Sequence, residues 1–346
     1  MGHPLPLISD VDRRAARALV DSSCLRFEDG YDDLVGVFEG GQLAACGARA
    51  GRVLKMLVVA PEHRGGGLLA EIITELMRRG SEAGVAGFFI FTRPGTAPVF
   101  QSLGFKPLAA TEQAALLELG NGLHRYLRQR ASLVHTGENA AVLVNADPFT
   151  VGHQALVEHA AALADKVYVL VPSEGNFLFP LPTRLELARL GTAHIANAVV
   201  TDTGPYALGS ATFPAYFLTG GEEPDQVRLE LDAELFAKHL APAFYVRTRV
   251  VGSEPADPAS RRYNQILRQR LRGCSVRLEE IERTKAGERW VDTRRVRRAL
   301  LVGDLAAAAA LVPEATVACL QRAGAAASGV RRQDGIPLHT TVGGSP

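Results

Sequence analysis

Three residues of a short polar loop, Thr150, Gly152 and His153, have the types and spacing needed to bind a phosphate. The loop follows the apolar run 141–144 and precedes a helical pattern, so these residues lie at the N-terminus of a predicted helix. Unpaired N–H groups and the helix dipole favour an anion there, and glycine lets the backbone approach a ligand closely. His153 is placed to donate a hydrogen bond to charge that develops on a phosphoryl oxygen.

The elements around this loop form a β-loop-α-β unit. Asn145, Asp147 and Pro148 cannot continue a central strand, and Lys166–Val171 has the composition of a second buried strand. A polar loop that directly follows a buried strand lies where open α/β sheets bind ligands. An ordinary crossover with a surface histidine is the simpler alternative, and an isolated Thr-x-Gly-His does not decide between the two.

The composition limits the class of protein. The chain has 346 residues, enough for two domains, and its 47% hydrophobic residues are enough for real cores. The formal net charge of +1 gives no indication of a nucleic-acid partner. Arginines do cluster late in the chain, at Arg294, Arg295, Arg297 and Arg298. A solvated helix face is the default interpretation of that cluster.

The sequence carries no membrane or secretion signal. No segment has the run of about 18 uncharged apolar residues that spans a bilayer, and the run Met-Gly-His-Pro-Leu-Pro at the N-terminus is unlike a secretory signal. The cysteines at 24, 46, 274 and 319 lack Cys-x-x-Cys spacing, so they indicate neither a disulfide framework nor a zinc site. We therefore expect a cytoplasmic protein without membrane contact or a metal site of its own.

A second glycine-rich turn lies in the first third of the chain. After three predicted strands, Arg64, Gly65, Gly66 and Gly67 open a helix whose apolar residues recur at i and i+4. This order resembles the acyl-CoA N-acetyltransferase (GNAT) fold, in which such a loop cradles the pyrophosphate of coenzyme A. The resemblance implies that Arg64, Gly65 and Gly67 hold a coenzyme-A-like arm. Leu69 departs from the pattern, which has a small residue there.

Four later segments follow one another in a specific order. They are Asn-x-Asp-Pro-Phe-Thr-x-Gly-His (145–153), Ser-Ala-Thr-Phe-Pro-x-Tyr-Phe (210–217), Val-Gly-Ser-Glu-Pro (251–255) and Tyr-Asn-Gln (263–265). In this order, behind a GNAT-like domain, they resemble the citrate lyase ligase family. That resemblance covers about residues 34 to 320.

The resemblance implies an α/β protein of two domains. A GNAT-like domain would occupy residues 1–120 and a linker residues 121–138. A Rossmann-like nucleotidyltransferase domain of the His-x-Gly-His type would occupy 139–320. The Ala-, Gly- and Ser-rich segment 321–346 has the composition of a loose tail.

The family motif also implies roles for individual residues. Thr150 and His153 occupy the two histidine positions of the nucleotide-binding motif, and the family has threonine at the first. Together with Arg297 they would be the catalytic residues. A larger set would contact ATP, namely Asn145, Asp147, Pro148, Phe149, Gly152, Arg184, Gly252, Glu254 and Arg294.

Two positions depart from the family pattern. Asp147 stands where the family has asparagine, so a negative charge is expected beside the triphosphate. The run 291–297 lacks both serines of the family's phosphate loop, although it keeps Arg297 and has Thr293 next to the second serine position. Arg294 replaces a hydroxyl with a cation, which can still hold phosphate.

The implied reaction consumes ATP, acetate and the thiol of a carrier-protein prosthetic group, and yields AMP, pyrophosphate and an acetyl thioester. Acetate must be activated first, and adenylation with Mg²⁺ would supply the leaving group. The partner would be an acyl carrier protein that bears a coenzyme-A-like thiol. Three alternatives remain at this point: the same chemistry on a malonate decarboxylase carrier, acetyl-CoA-dependent N-acetyl transfer, and a non-catalytic carrier-binding protein.

Overall fold

The computed structural model describes residues 2–210, 212–253, 258–287 and 289–322. They divide into two compact units. The first takes in the described residues of 1–136, 204–247 and 256–278, and the second those of 137–203, 248–255 and 279–346. The chain therefore passes between the units several times rather than once.

The strands, in chain order, are β1 Leu5–Pro6, β2 Asp33–Glu39, β3 Gln42–Ala50, β4 Val53–Val59, β5 Phe88–Thr92, β6 Phe105–Ala110, β7 Ala115–Leu119, β8 Asn139–Leu143, β9 Lys166–Val171, β10 Ala198–Asp202, β11 Val246–Gly252, β12 Arg277–Ile281, β13 Lys285–Ala286 and β14 Arg289–Trp290.

The α-helices are α1 Asp10–Ser22, α2 Leu68–Glu82, α3 Ala97–Ser102, α4 Gly122–Gln129, α5 Val151–Leu163, α6 Leu181–Gly191, α7 Pro224–Leu235, α8 Ala241–Ala243, α9 Pro258–Leu271, α10 Thr293–Leu301 and α11 Leu305–Ala309. Short 3₁₀ turns occupy Pro61–His63, Pro94–Thr96 and Ala131–Leu133, and a π-helical segment, Phe236–Leu240, continues α7.

The first unit is built on a seven-stranded sheet in the order β1-β2-β3-β4-β5-β7-β6. Neighbouring strands are antiparallel except β4 and β5, which are parallel and pair only at Val53 with Phe89 and Leu54 with Ile90. Helix α2 buries Leu68, which belongs to the apolar stripe predicted from the sequence. This sheet and helix match the element order expected of a GNAT-like domain.

Close helix–sheet packing explains a glycine of β3. A Cβ at Gly47 would lie 2.6 Å from Cγ2 of Ile72 and 2.7 Å from Cδ2 of Leu57, far inside van der Waals contact. The helix therefore rests directly on the backbone of the strand. The same apolar cluster includes Phe88 and Phe100.

The second unit is an α/β layer structure around the sheet β10-β9-β8-β11-β12. Strands β8, β9 and β10 are parallel neighbours. The chain continues from β8 to β9 on one side, whereas β11 pairs on the other side of β8. The reversal makes the carboxyl end of β8 a topological switch point, where open α/β sheets bind ligands.

One segment joins a core other than the one expected from its place in the chain. Residues 204–247 belong to the first compact unit, although they lie within the stretch 139–320 that the sequence suggested as one domain. The Tyr216 hydroxyl donates to the Phe91 carbonyl oxygen at 2.7 Å, and the Tyr206 hydroxyl donates to Glu118 Oε1 at 2.7 Å. Apolar composition predicts burial of these rings, but it does not say against which core.

Candidate functional site

The loop after β8 ends in a reciprocal cap at the start of α5. Thr150 is the N-cap residue, and its Oγ1 accepts a hydrogen bond from the His153 backbone N–H at 3.3 Å. In return, His153 Nδ1 accepts from the Thr150 backbone N–H at 3.1 Å. Two N–H groups at the helix terminus are thereby satisfied. The threonine and histidine predicted to bind nucleotide are therefore held against each other.

This cap determines which nitrogen of His153 carries the proton. Because Nδ1 accepts a hydrogen bond, the neutral imidazole carries its proton on Nε2. Burial, and then the positive charge of Arg283, lower the pKa of His153 from 6.5 to about 4. The Phe149 ring packs against the imidazole at 5.4 Å between centroids. The site therefore offers a neutral Nε2–H donor at neutral pH.

Gly152 supplies a backbone donor beside this imidazole. Among the residues that the structure describes, none accepts a hydrogen bond from the Gly152 N–H, whereas the Val151 N–H donates to the Leu311 carbonyl oxygen at 3.1 Å. A Cβ at Gly152 would lie 3.6 Å from Thr150 Oγ1 and Val291 Cγ1 and 3.7 Å from Val291 Cβ, all ordinary van der Waals distances. The fold therefore has room for a side chain at this position.

Asp147 faces the protein and not the helix terminus. Its side chain is buried, and its oxygens accept from the backbone N–H groups of Leu178, at 3.0 Å, and Phe179, at 2.9 Å. Arg297 Nη1 donates to the same carboxylate at 3.2 Å. The negative charge that the sequence led us to expect beside the triphosphate is thus already engaged by three donors. It anchors the 178–179 segment and Arg297.

Arg184 joins the same loops from the start of α6. Its guanidinium is buried and donates to the carbonyl oxygens of Phe179, at 3.1 Å, and Asn145, at 3.0 Å. It also stacks on the Phe177 ring, 3.7 Å from the centroid. Burial lowers the pKa of Arg184, while the Asp147 charge raises it. Arg184 therefore holds the loop that carries Asn145, whose own side chain is exposed.

Sequence reasoning missed Arg283. This residue follows β12, and its Nε and Nη2 donate to the Val291 carbonyl oxygen at 3.0 and 2.9 Å. Its backbone N–H donates to Ser253 Oγ at 3.2 Å, which ties the ends of β11 and β12 together. Its charge lowers the pKa of His153, so a second arginine besides Arg297 belongs to this neighbourhood.

The other residues predicted to contact ATP range from fully buried to largely exposed. Phe149 is fully buried, and its ring fills the space left by Gly191, where a Cβ would lie 2.5 Å from Cδ1 of the ring. Pro148 is buried beside it in the chain, and Gly252 ends β11. The largely exposed Arg294 pairs with Asp292 at 3.1 Å. Glu254 lies outside the described residues.

Comparisons with known proteins match both parts of the chain. Residues 139–320 match the family model of the citrate lyase ligase C-terminal domain, and residues 12–119 match that of an acetyltransferase (GNAT) domain. A [citrate [pro-3S]-lyase] ligase of Klebsiella pneumoniae is 35% identical over 81% of this chain and 84% of its own length. The corresponding Escherichia coli (strain K12) protein is 33% identical over 81% and 82%.

The chain belongs to the citrate lyase ligase family. Members of this family are acid–thiol ligases. A shorter similarity, 40% identity over 16% of this chain and 36% of the relative, links it to a phosphopantetheine adenylyltransferase of Corynebacterium efficiens. The two-domain α/β fold expected from the sequence is confirmed, with a GNAT domain followed by the citrate lyase ligase domain.

The glycine-rich turn of the GNAT domain lies at the start of α2. Gly65 and Gly67 have positive φ angles of 83° and 86°, which favour glycine, and Gly67 is the N-cap residue of the helix. Arg64 is exposed, and its Nε donates to the Val59 carbonyl oxygen at 3.4 Å. The left-handed backbone conformation explains why glycine occupies these two positions, and the coenzyme-A-like arm stays a prediction for this turn.

The described residues contain no group of three or more His, Cys, Asp or Glu side chains arranged to hold a metal ion. No helix among them combines the length and the apolar character that crossing a bilayer requires.

Proposed function

We propose that this ligase joins acetate to the prosthetic-group thiol of the citrate lyase acyl carrier protein through an acetyl-adenylate. One acetate oxygen attacks the α-phosphorus of ATP, and pyrophosphate leaves. The carrier thiol then loses its proton and attacks the acetyl carbonyl carbon, and AMP leaves. ATP enters as its magnesium complex, in which the phosphates are the main ligands of the ion.

The observation that carries this proposal is the reciprocal Thr150–His153 cap. It engages Nδ1 and so leaves the Nε2–H of a neutral imidazole as a donor, one residue after the Gly152 N–H. Two donors at a helix N-terminus suit an α-phosphoryl group whose oxygens gain negative charge as acetate attacks. Thr150 orients the imidazole, so we assign it a positioning role.

Arginines near this helix terminus suit the leaving pyrophosphate. Arg297 keeps 36% of its side chain exposed although it contacts Asp147, so a ligand can also reach this side chain. Arg283 adds positive charge near His153, and Arg294 is exposed on the helix that carries Arg297. Cations beside the β- and γ-phosphates would stabilise the pyrophosphate as it departs. Asp147 and Arg184 would act indirectly, by fixing the loops.

The GNAT domain would bind the carrier arm rather than the acetyl group. Arg64, Gly65 and Gly67 present a cation and open backbone to an anion, as the pyrophosphate of a coenzyme-A-like arm requires. An acetyl-CoA-dependent N-acetyltransferase is a second candidate, and it is favoured only by the match of this domain to the GNAT model. Acetyl transfer from acetyl-CoA without ATP would support it.

Acetate-dependent exchange of pyrophosphate into ATP, measured without carrier protein, tests the adenylation step. We expect exchange in the wild-type protein and a loss of about 10²–10³-fold in His153→Ala, the usual effect of removing one such donor. Gly152→Ala separates an effect on phosphate binding from an effect on folding, because the free protein has room for the methyl group. Alanine also favours the helix by about 0.5–1 kcal/mol over glycine.

Gly152→Ala should therefore keep or raise the melting temperature while it lowers exchange. Equal exchange rates in wild type and both variants would refute the assigned phosphate site. A folded wild-type protein that binds ATP but catalyses no exchange would refute carrier-free adenylation itself.

A further inference from the structure

Helix α10 presents two very different faces. Val296 is fully buried, and Ala299 and Leu300 pack against the core of the second unit. The opposite side, called here the outer face of α10, consists of Arg294, Arg295, Arg298, Leu301 and Val302, with Leu305 beside it at the start of α11. A solvated helix face would be polar throughout, whereas this one ends in large apolar side chains.

The apolar part of the outer face is exposed. Leu301 is 53% exposed, Val302 74% and Leu305 43%, and these three lie within five consecutive positions. Arg294, Arg298 and Leu301 have the spacing i, i+4, i+7, so they line one side of the helix. Exposed apolar side chains grouped beside charged ones mark an interaction surface.

The charge of this region is positive. Residues 289–305 contain five arginines and two aspartates. Both aspartates cap helices: Asp292 accepts from the Arg294 N–H at 2.8 Å and Asp304 from the Ala307 N–H at 3.0 Å. Each negative charge is thus placed at a helix N-terminus, which it stabilises. An acidic partner with an apolar centre would complement this face.

The same helix borders the proposed adenylation site. Arg297 contacts Asp147 at 3.2 Å, and Val291, just before the helix, lies 3.6 Å from the position that a Gly152 Cβ would take. A helix is about 10–12 Å across with its side chains. The arginines of the outer face are therefore about one helix diameter from the side that carries Arg297, and Leu301 lies about one turn further along the axis.

We propose that the outer face of α10 docks the acyl carrier protein through an acidic, partly apolar surface of the carrier. This inference rests on the proposed function, because only that chemistry requires a carrier thiol to reach the acetyl-adenylate. The closeness of the face to the site selects the carrier as the occupant, and the positive charge of the face requires that the carrier surface in contact with it be acidic.

The test reverses the charge of two arginines outside the proposed ATP site, in the double variant Arg295→Glu/Arg298→Glu. A neutral version, Arg295→Gln/Arg298→Gln, guards against misfolding, since Arg295 also donates to the Trp290 carbonyl oxygen at 3.2 Å. Leu301→Ser/Val302→Ser removes the apolar part. Arg189→Glu is the matched control, because Arg189 is an exposed arginine in the last turn of α6 in the same unit.

The readouts are the KM for the thiol-bearing citrate lyase carrier, its Kd by calorimetry, and carrier-free exchange. The charge-reversed variant should raise carrier KM and Kd at least tenfold and flatten their salt dependence. The serine variant should raise both without changing the salt dependence. Exchange and kcat at saturating carrier should stay within twofold of wild type, and Arg189→Glu should match wild type throughout.

Unchanged carrier Kd in folded face variants would overturn the docking proposal. Binding of duplex DNA that the arginine variants abolish, with carrier binding intact, would assign the face to a nucleic acid instead. Absent exchange in wild type would refute the adenylation step alone, since the calorimetric Kd does not depend on catalysis.

Discussion

His153 makes a structural hydrogen bond through Nδ1, and we propose that its Nε2–H donates a second one to the α-phosphoryl group. Its Nδ1 accepts the Thr150 N–H, so the ring cannot be protonated at that atom without breaking the cap. Burial and the Arg283 charge oppose the imidazolium as well. A donor that stays neutral keeps the same hydrogen-bonding pattern over a wide pH range. The proposed role therefore requires no proton transfer by the imidazole.

The lowered pKa of His153 gives a pH prediction with a definite sign. The unfolded chain takes up a proton at this residue near pH 6.5, whereas the folded chain does so only near pH 4. The contribution of His153 to stability is thus fully present above about pH 6.5 and is lost as pH falls towards 4. The unfolding free energy of wild type should fall relative to His153→Gln over that window, as measured by urea denaturation.

NMR titration of labelled histidine provides an independent check, with His153→Gln identifying the resonance among the nine histidines. The His153 signal should titrate near pH 4. Titration near 6.5 would show that the cap does not hold the neutral ring.

At the scale of elements, Asp147 links the loop after β8 to helix α10 and to the segment before α6. Both of its oxygens accept backbone N–H bonds, and Arg297 approaches one of them. Asparagine has a single acceptor oxygen, so its amide group would face one of these N–H donors. Asparagine, the family residue at position 147, would therefore leave one of the N–H groups of Leu178 and Phe179 without an acceptor.

Asp147→Asn should lower the unfolding free energy by about 1–3 kcal/mol, the usual effect of leaving a buried donor unsatisfied. It should also raise the KM for ATP, because Arg297 and the loop lose a shared anchor. Asp304→Asn, at the exposed cap of α11, serves as the control and should leave the KM for ATP unchanged. An unchanged KM in Asp147→Asn would mean that the anchor does not shape the nucleotide site.

Local signals in the sequence predict the centre of the candidate site but not the residues that hold its loops. Thr150, Gly152 and His153 stand out because a strand, a turn and a helix start leave a recognisable order. Asp147 and Arg184 were expected to contact ATP, yet both face backbone groups, and orientation of this kind depends on distant segments. Arg283 gave no signal, because β12 reads Arg-Leu-Glu-Glu-Ile and lacks a strand's apolar pattern.

At the scale of the molecule, the two compact units share the chain in alternating stretches. The elements of the GNAT domain were predictable from apolar runs and turn residues. The packing of residues 204–247 in the first unit was not predictable, because aromatic composition does not show which core a segment joins. Phe213 meets Phe91 at 5.4 Å and Tyr126 meets Tyr206 at 5.2 Å between ring centroids, and these contacts join residues more than 75 positions apart.

Truncation should therefore fail at the boundary that the sequence suggests. A fragment of residues 137–346 keeps Tyr206, Phe213 and Tyr216 but lacks the strands that bury them. We expect it to bind a hydrophobic dye and to unfold without a cooperative transition, as followed by near-UV circular dichroism beside the full chain. A soluble fragment that unfolds cooperatively would contradict the division into these two units.

The alternating arrangement also bears on how the chain is made. The first unit receives its last residues near Leu278, long after residue 136 has been synthesised. At about 5–20 residues per second, the intervening 142 residues take roughly 7–28 s to appear. Over the first 80 of these residues, up to Tyr216, Phe91 lacks its partners Phe213 and Tyr216. The N-terminal sheet therefore stays attached to the ribosome with an apolar surface exposed to solvent until these residues have been synthesised. We expect its folding to depend on the speed of translation.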